Sequence, residues 1–252
     1  MHSLKTRGVV IKRSNYGEAD RILTIFSDRF GKVKVMARGV RKISSKLAGN
    51  LEPYNIVDLL LHQGKTFFIA TGAVIEKRVA SKGESNLDKF SKFNYAGELI
   101  DKLFEQNDRA TDAFDLFEKT IVAISESDSN LILPIFELKI IEEAGFKPEI
   151  YTCLHCKKDL LEGRNYWDKV EGGIICEKCQ KKIRHGITIS NQVIKLFRLI
   201  EKNNIDLAYR LKLRRIYQVE TKAILDEYIL NLLEQKLKSQ DFLDLIEKRN
   251  TK

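Results

Sequence analysis

The sequence predicts an α+β protein of two domains: a small β-barrel over residues 1–80, and an α-helical domain over residues 81–252 that carries a four-cysteine insertion at about 150–185. Three observations carry this. Five short runs with strand-like patterning fall within the first eighty residues, apolar residues recur at helical spacing after Ser81, and all four cysteines stand as two Cys-x-x-Cys pairs.

The strands come in order. Gly8–Ile11 is a short apolar run after basic residues, and Arg21–Phe26 is the second. A turn at Ser27–Gly31 leads into Lys32–Ala37, where Val33, Val35 and Ala37 share one side and Lys32, Lys34 and Met36 the other. One face of that strand is therefore apolar and the other basic. After a long basic connection come Asn55–Leu61 and, across His62–Lys65, Thr66–Thr71 continuing towards Glu76; Gln63-Gly64 suits the hairpin between them. Five strands with the longer break between the third and fourth fit a closed barrel such as an OB-fold, although the spacing alone also fits an SH3-like barrel.

Ser81–Asn86 reads as a linker. Leu87, Phe90, Phe93, Ile100, Leu103 and Phe104 then predict one helix, and Phe114, Phe117, Ile121 and Ile124, behind Thr111 or Asp112 as cap, a second. Leu131–Ala144 is apolar on several faces, with Pro134 near its first turn and Gly145 as its stop, which predicts a buried helix. Ser190 caps a helix bearing Val193, Ile194, Leu196, Phe197 and Ile200. A last helical region spans about Leu213–Leu237, and its Ile216, Val219, Ala223, Leu225, Ile229, Leu232 and Leu233 read most simply as core.

The cysteines are Cys153 and Cys156, then nineteen residues, then Cys176 and Cys179. A two-residue gap lets two sulfurs from one tight turn reach the same ion at about 2.3 Å, so the four thiolates predict one tetrahedral zinc. A redox pair would stand beside a βαβ pattern, and two disulfides would need an oxidising compartment; the sequence signals neither. Four sulfurs close the shell, which makes the zinc structural. Asn165–Trp167 and Gly173–Ile175 suit the two strands of a zinc ribbon, with Gly172-Gly173 in the turn. His155 and His185 read as exposed.

The net charge of +9 sits entirely in the first third: residues 1–80 hold fifteen Lys and Arg against six Asp and Glu, and the remainder holds 29 of each sign. Such asymmetry predicts a polyanion-facing module on a neutral body, with nucleic acid ahead of an anionic membrane surface. Arg29, Lys32, Lys34, Arg38, Arg41, Lys42 and Lys46 occur with no acidic residue between Arg29 and Glu52. They are the candidate phosphate contacts, Arg38–Lys46 forming a mobile cationic loop, while Tyr16 and Phe30, in turn-like stretches, are the candidate base-stacking aromatics. Lys157, Lys158, Lys178, Lys181 and Lys182 form a weaker second patch interspersed with acids. Neither a P-loop nor a G-x-S-x-G motif is present, and Gly17-Glu18-Ala19-Asp20 reads as a loop or a cap for Arg21. The opening residues lack a signal-peptide core and no run reaches membrane-span length, so a cytoplasmic protein is expected.

The chain resembles the RecO family of bacterial recombination mediators. The likeness rests on Thr6–Ile11, Tyr16–Leu23, Gly31-Lys32-Val33, Ala37–Arg41, Leu51–Tyr54 and Leu138–Pro148 leading into the cysteines. It implies an OB-fold, a helical domain bearing a zinc finger, and a non-enzymatic, nucleoid-associated role in recombinational DNA repair. The implied partners are single- and double-stranded DNA, RecR, the acidic C-terminal tail of the single-stranded-DNA-binding protein, RecF in many bacteria, and indirectly RecA. Arg38 and Arg41, in the matching Ala-Arg-Gly-x-Arg motif, are the phosphate contacts that the resemblance supports. A zinc-ribbon RNA- or DNA-binding factor and a scaffold for acidic protein tails are the alternative readings.

Overall fold

The computed structural model describes residues 3–79, 87–183 and 185–250; the expected linker Ser81–Asn86 lies outside them. The chain divides into two compact units, one of Met1–Glu126 with Leu237–Lys252 and the other of Ser127–Lys236. The unit that holds the barrel thus extends past residue 80 and takes in the end of the chain.

Five strands, β1 (Ser3–Tyr16), β2 (Asp20–Ser27), β3 (Gly31–Ala37), β4 (Ile56–Gln63) and β5 (Phe68–Lys77), close a barrel in the order β1-β2-β3-β5-β4. The barrel is OB-like, closed by the parallel pairing of β3 with β5 at Val35–Phe68 and Met36–Ile69. The long β1 pairs with both β2 and β4, and a bulge between Val10 and Lys12 lets it bend from one partner to the other. Val10, Leu23, Ile25, Val33, Val35 and Leu59 fill the interior. The alternation expected for β3 is present: Val33, Val35 and Ala37 are buried while Lys34 is exposed.

The connection between β3 and β4 is anchored where mobility was expected. Val40 and Leu51 are buried against the barrel core, and Asn50 donates from its amide to the Ala73 carbonyl at 2.7 Å. Arg38, Arg41, Lys42, Ser44 and Lys46 stay outside, and Ile43 at the tip is fully exposed.

Helices α1 (Leu87–Leu103) and α2 (Thr111–Glu126) belong to the same unit. They bury Phe26, an outward residue of β2 whose ring lies 5.4–6.1 Å from those of Phe104, Phe114 and Phe117. The helix α8 (Lys238–Asn250) packs on α1, and its Leu243 and Ile246 are buried. Its first turn is capped from α1: the Glu98 carboxylate accepts from the N–H groups of Lys238 at 3.1 Å and Ser239 at 2.7 Å, and from the Ser239 hydroxyl at 2.6 Å. Burial pushes the Glu98 carboxyl up, but these donors outweigh it and hold it below the ordinary 4.5. A depressed carboxylate contributes its stabilisation fully above its unfolded value and loses it as pH falls through the folded one. Hydrogen exchange should therefore show α8 amides losing protection as pH drops below 4.5. Glu98→Ala should cost about 1–2 kcal/mol at neutral pH and flatten that acid response.

In the other unit, α3 (Ile132–Glu143) is buried on several faces, with Pro134 in its first turn and Gly145 at φ +89 ending it. Helices α4 (Glu177–Ile183), α5 (Asn191–Lys202), α6 (Leu207–Arg210) and α7 (Arg215–Leu233) accompany a three-stranded sheet of β6 (Asn165–Asp168), β7 (Gly173–Cys176) and β8 (Ile187–Ile189), ordered β7-β6-β8. Ser190 caps α5, accepting from the Val193 N–H at 3.3 Å. Trp167 of β6 is fully buried edge-on to Phe197 and Tyr228, at 5.8 and 5.4 Å.

The reading of the last helical region needs correction. Glu234 in the left-handed region ends α7 at Leu233, a little short of the expected Leu237, and the helix α8 that follows was not foreseen. Ile224, Leu225 and Ile229 are core, but Ile216, Val219 and Ala223 are not: Ile216 is 66% and Val219 62% exposed, and Ala223 is also exposed. Amphipathic spacing identified an apolar stripe without telling which part of it is covered.

Candidate nucleic-acid face and four-cysteine centre

The cationic loop is built by three fixed points. Asp20 accepts from the Gly39 N–H at 2.7 Å, so its carboxylate caps this loop where the sequence suggested a cap for Arg21. Arg41 donates from its backbone to Ala19 O at 2.9 Å and from its guanidinium to Gly17 O at 3.1 Å, tying the loop to the β1–β2 turn. Arg38, Lys42 and Lys46 are exposed, and their side chains make no ion pair or hydrogen bond among the described residues. Glu52, the nearest acid along the chain, is occupied by Arg13 and, at 3.5 Å, by Arg21. The loop's positive field is thus left uncompensated by its neighbour in sequence.

The other cations sit elsewhere on the barrel. Lys34 projects from the middle of β3, in a cross-strand row with Thr24 of β2 and Lys12 of β1. Lys12 is well exposed, with Asp101 no closer than 3.9 Å. Arg29, in the β2–β3 turn, donates to Lys5 O at 2.8 Å and lies 5.6 Å over the Phe30 ring. Lys32 is different: its ammonium lies 3.2 Å from an Asp101 carboxylate oxygen, also donates to the Asp101 carbonyl, and is largely buried. Its charge is spent inside the unit. Of the seven cations expected at the phosphates, the structure gathers Arg38, Arg41, Lys42 and Lys46 on one loop, spreads Lys34 and Arg29 along β3 and its preceding turn, and withdraws Lys32.

Sequence reasoning missed Lys12, because the bulge after Val10 shifts the register that places it beside Thr24. It also missed Arg109, which lies near Arg29 and Lys34 around a cavity although some eighty residues separate it from Arg29 in the chain. Tyr16 is 54% exposed at the end of β1, whereas Phe30 is half-buried and packs on Phe68 at 5.3 Å.

The four cysteines converge as their spacing predicted. All four sulfurs lie within 4.8 Å of one another, and Cys156 and Cys176 are 3.9 Å apart. Bonds of about 2.3 Å around a tetrahedral ion put sulfurs about 3.8 Å from each other, so the set fits such an ion. Cys153 and Cys156 come from a tight turn closed by Lys157 N–H to Cys153 O at 2.9 Å, with Lys157 at φ +56. Cys176 ends β7 and Cys179 lies in the first turn of α4. Leu154 N–H to Ile174 O, 2.9 Å, joins the two halves, and the Cys176 N–H donates to the Cys153 sulfur at 3.4 Å.

The electrostatics favour a bound cation. Burial raises the Cys153 thiol, but backbone N–H groups of Cys156, Cys176 and His155 outweigh it and bring it down to about 6. Burial and the sulfurs of Cys176, Cys153 and Cys156 push Cys179 up to about 12. One thiolate forms readily and the last resists, because negative charge accumulates in one place; a divalent cation relieves that repulsion. His155 and His185 are exposed, as expected. Lys157, Lys158, Lys178, Lys181 and Lys182 are exposed around the centre, and Lys181 lies 3.5 Å from the Glu177 carboxylate.

Among the described residues, no helix is long and apolar enough to cross a membrane. Two family models match: Recombination protein O N terminal over residues 1–78 and Recombination protein O C terminal over residues 84–241. The relatives include "DNA repair protein RecO" of Roseiflexus sp. strain RS-1, 31% identical over 95% of this chain and 84% of its own. The protein of the same name from Dehalococcoides mccartyi strain 195 is 31% identical over 99% and 98% of the two chains. That of Thermoanaerobacter sp. strain X514 is 27% identical over 97% and 98%. With an OB-like barrel, four converged cysteines and both family models in sequence order, the chain belongs to the RecO family of DNA repair proteins.

Proposed function

We propose that this protein is a non-enzymatic recombination mediator that binds and anneals single-stranded DNA. With RecR, and RecF where present, it would help RecA replace the single-stranded-DNA-binding protein during repair, in the cytoplasm at the nucleoid. The observation that carries the reading is the loop holding Arg38, Arg41, Lys42 and Lys46 exposed at the rim of an OB-like barrel, three of them with unengaged side chains. Such a surface neutralises the backbone charge of two strands at once, lowering their repulsion while leaving base edges free to pair. Annealing then needs charge compensation and proximity, with no bond made or broken. If four to six cations meet phosphates, log affinity for single strands falls against log salt with a slope of roughly −3 to −4.

Strand annealing of complementary fluorescent oligonucleotides tests this. The native chain should accelerate annealing at low salt and lose most of that effect as salt rises. Absent acceleration, or acceleration indifferent to salt, would overturn the electrostatic mechanism. In the same reading the metal held by Cys153, Cys156, Cys176 and Cys179 is one structural zinc, because four sulfurs leave no open coordination position.

The exposed stripe on α7 supports the partner proposed above. Ile216 and Val219 stand one helical turn apart beside exposed Lys212, Arg214 and Arg215. Apolar and cationic groups side by side suit a short acidic, apolar peptide such as the C-terminal tail of the single-stranded-DNA-binding protein.

A further inference from the structure

A cavity of about 360 Å³ opens on the flank of the barrel between the β4–β5 and α1–α2 connections. Its charged lining among the described residues is cationic throughout, Arg29, Lys34 and Arg109, with no carboxylate. Its aromatic lining is Phe30, Phe67 and Phe68, all half-buried, so each shows part of a ring to solvent. Gln63, Gln106 and Asn107 add amides that both donate and accept.

The wall contributed by the α1–α2 connection is held in place. The Asn107 N–H donates to Lys32 O at 2.8 Å, with Asn107 itself in the left-handed region at φ +65. Thr111 donates to Asp28 O at 3.3 Å, and Arg109 Nε to the Thr111 hydroxyl at the same distance. Only a glycine permits this approach, since a Cβ on Gly31 would lie 1.7 Å from Asp108 O. A preformed concave site that joins π faces, amides and cations matches the three parts of a nucleotide: its ring, its base edge and its phosphate.

We propose that this cavity takes one unstacked nucleotide of a bound single strand, its base against Phe67 and Phe30 and its phosphate between Lys34 and Arg109. The inference rests on the nucleic-acid reading above and deepens it, since the loop cations follow a backbone of any sequence whereas this site needs a base. A paired base cannot enter without leaving its partner, so the cavity favours single strands over duplex. Its stacking contribution does not depend on counterion release, so it persists at salt that strips the loop contacts.

The test compares an oligothymidylate with an abasic strand of equal length and charge, by fluorescence anisotropy at moderate salt. The native chain should bind the base-bearing strand about tenfold more tightly, as one good stacking contact gives. Phe67→Ala should abolish the difference while leaving abasic binding within about twofold, and Phe67→Trp should retain it. Gln106→Ala, on an exposed connection, provides a second variant that removes a base-edge partner, and it should shrink the preference. Equal binding of both strands by the native chain would overturn the cavity while leaving the loop reading intact, as would a preference that both Phe67→Ala and Gln106→Ala preserve. If neither strand binds, both readings fall together. Deoxythymidine monophosphate that bound as tightly as the strand would also overturn the proposal, marking a site for free nucleotides.

Discussion

Alanine at Arg38, Lys42 and Lys46 together is expected to weaken single-strand binding by roughly a hundredfold at low salt and to flatten the salt slope by about 2. Each lost phosphate contact removes about 0.7 from that slope, and the combined loss shrinks as salt rises because the native chain is weakened by the same screening. Stability should barely move. None of the three side chains bonds to another described residue, and surface changes of that kind stay within about 0.5 kcal/mol. Arg41 is left out of the set because its guanidinium also holds Gly17 O, so its removal would disturb the loop as well as the charge. Fluorescence anisotropy over a salt series, with thermal melts alongside, reads both quantities. Native-like affinity and slope in a folded triple variant would move the phosphate path away from the loop, to Lys12, Lys34 and the cavity cations.

Removal of the zinc proposed for the four cysteines is expected to have the largest effect on stability. The centre's own core is small: Cys153, Leu154 and Ile175 are buried, with Leu160, Tyr166 and Ile183 packed against them. Such a core cannot offset the ordering entropy of some forty residues, so metal binding and folding of this region should be one event. Cys153→Ser with Cys176→Ser should bring bound zinc from one per chain to none and lower the melting temperature by about 10 °C or more, as a loss of several kcal/mol does in a chain of this size. Chelation of the native protein should match the variant, while single-strand binding through the barrel loop should be retained. Metal analysis and hydrogen exchange on β6 and β7 would check it; full protection of those strands without metal would show that the zinc is dispensable.

The parts of this molecule that were legible in its sequence are those fixed by short-range periodicity. Val33, Val35 and Ala37 against Lys34 announce a strand with one wet face, and the two Cys-x-x-Cys pairs announce a shared ion, because two residues and a turn suffice to write each signal. What was not legible arises from partners far apart in the chain. Lys32 and Lys34 look alike in sequence, and only the fold brings Asp101 to one of them, 69 residues away. Arg109 sits in a connection between helices that carries no basic run, and only the docking of that connection on β3 brings it beside the barrel's cations. The stripe on α7 failed differently: periodicity finds an apolar face but cannot tell which stretch of it a neighbour covers. The short, strongly charged α8 was not read from the sequence at all because its apolar positions are few, and its cap comes from Glu98, about 140 residues earlier.

That returning helix has a consequence for biosynthesis. Residues 237–250 complete a unit begun by β1, so the segment 127–236 is inserted between two parts of one body. The barrel is made on the ribosome well before α8, yet α1 waits with its α8-facing surface bare until residues 237–250 have emerged as well. A frameshift or stop codon just before residue 237 would therefore injure the unit begun earlier while sparing the later-made cysteine module. Nascent chains arrested at that point are where chaperone engagement with α1 should peak.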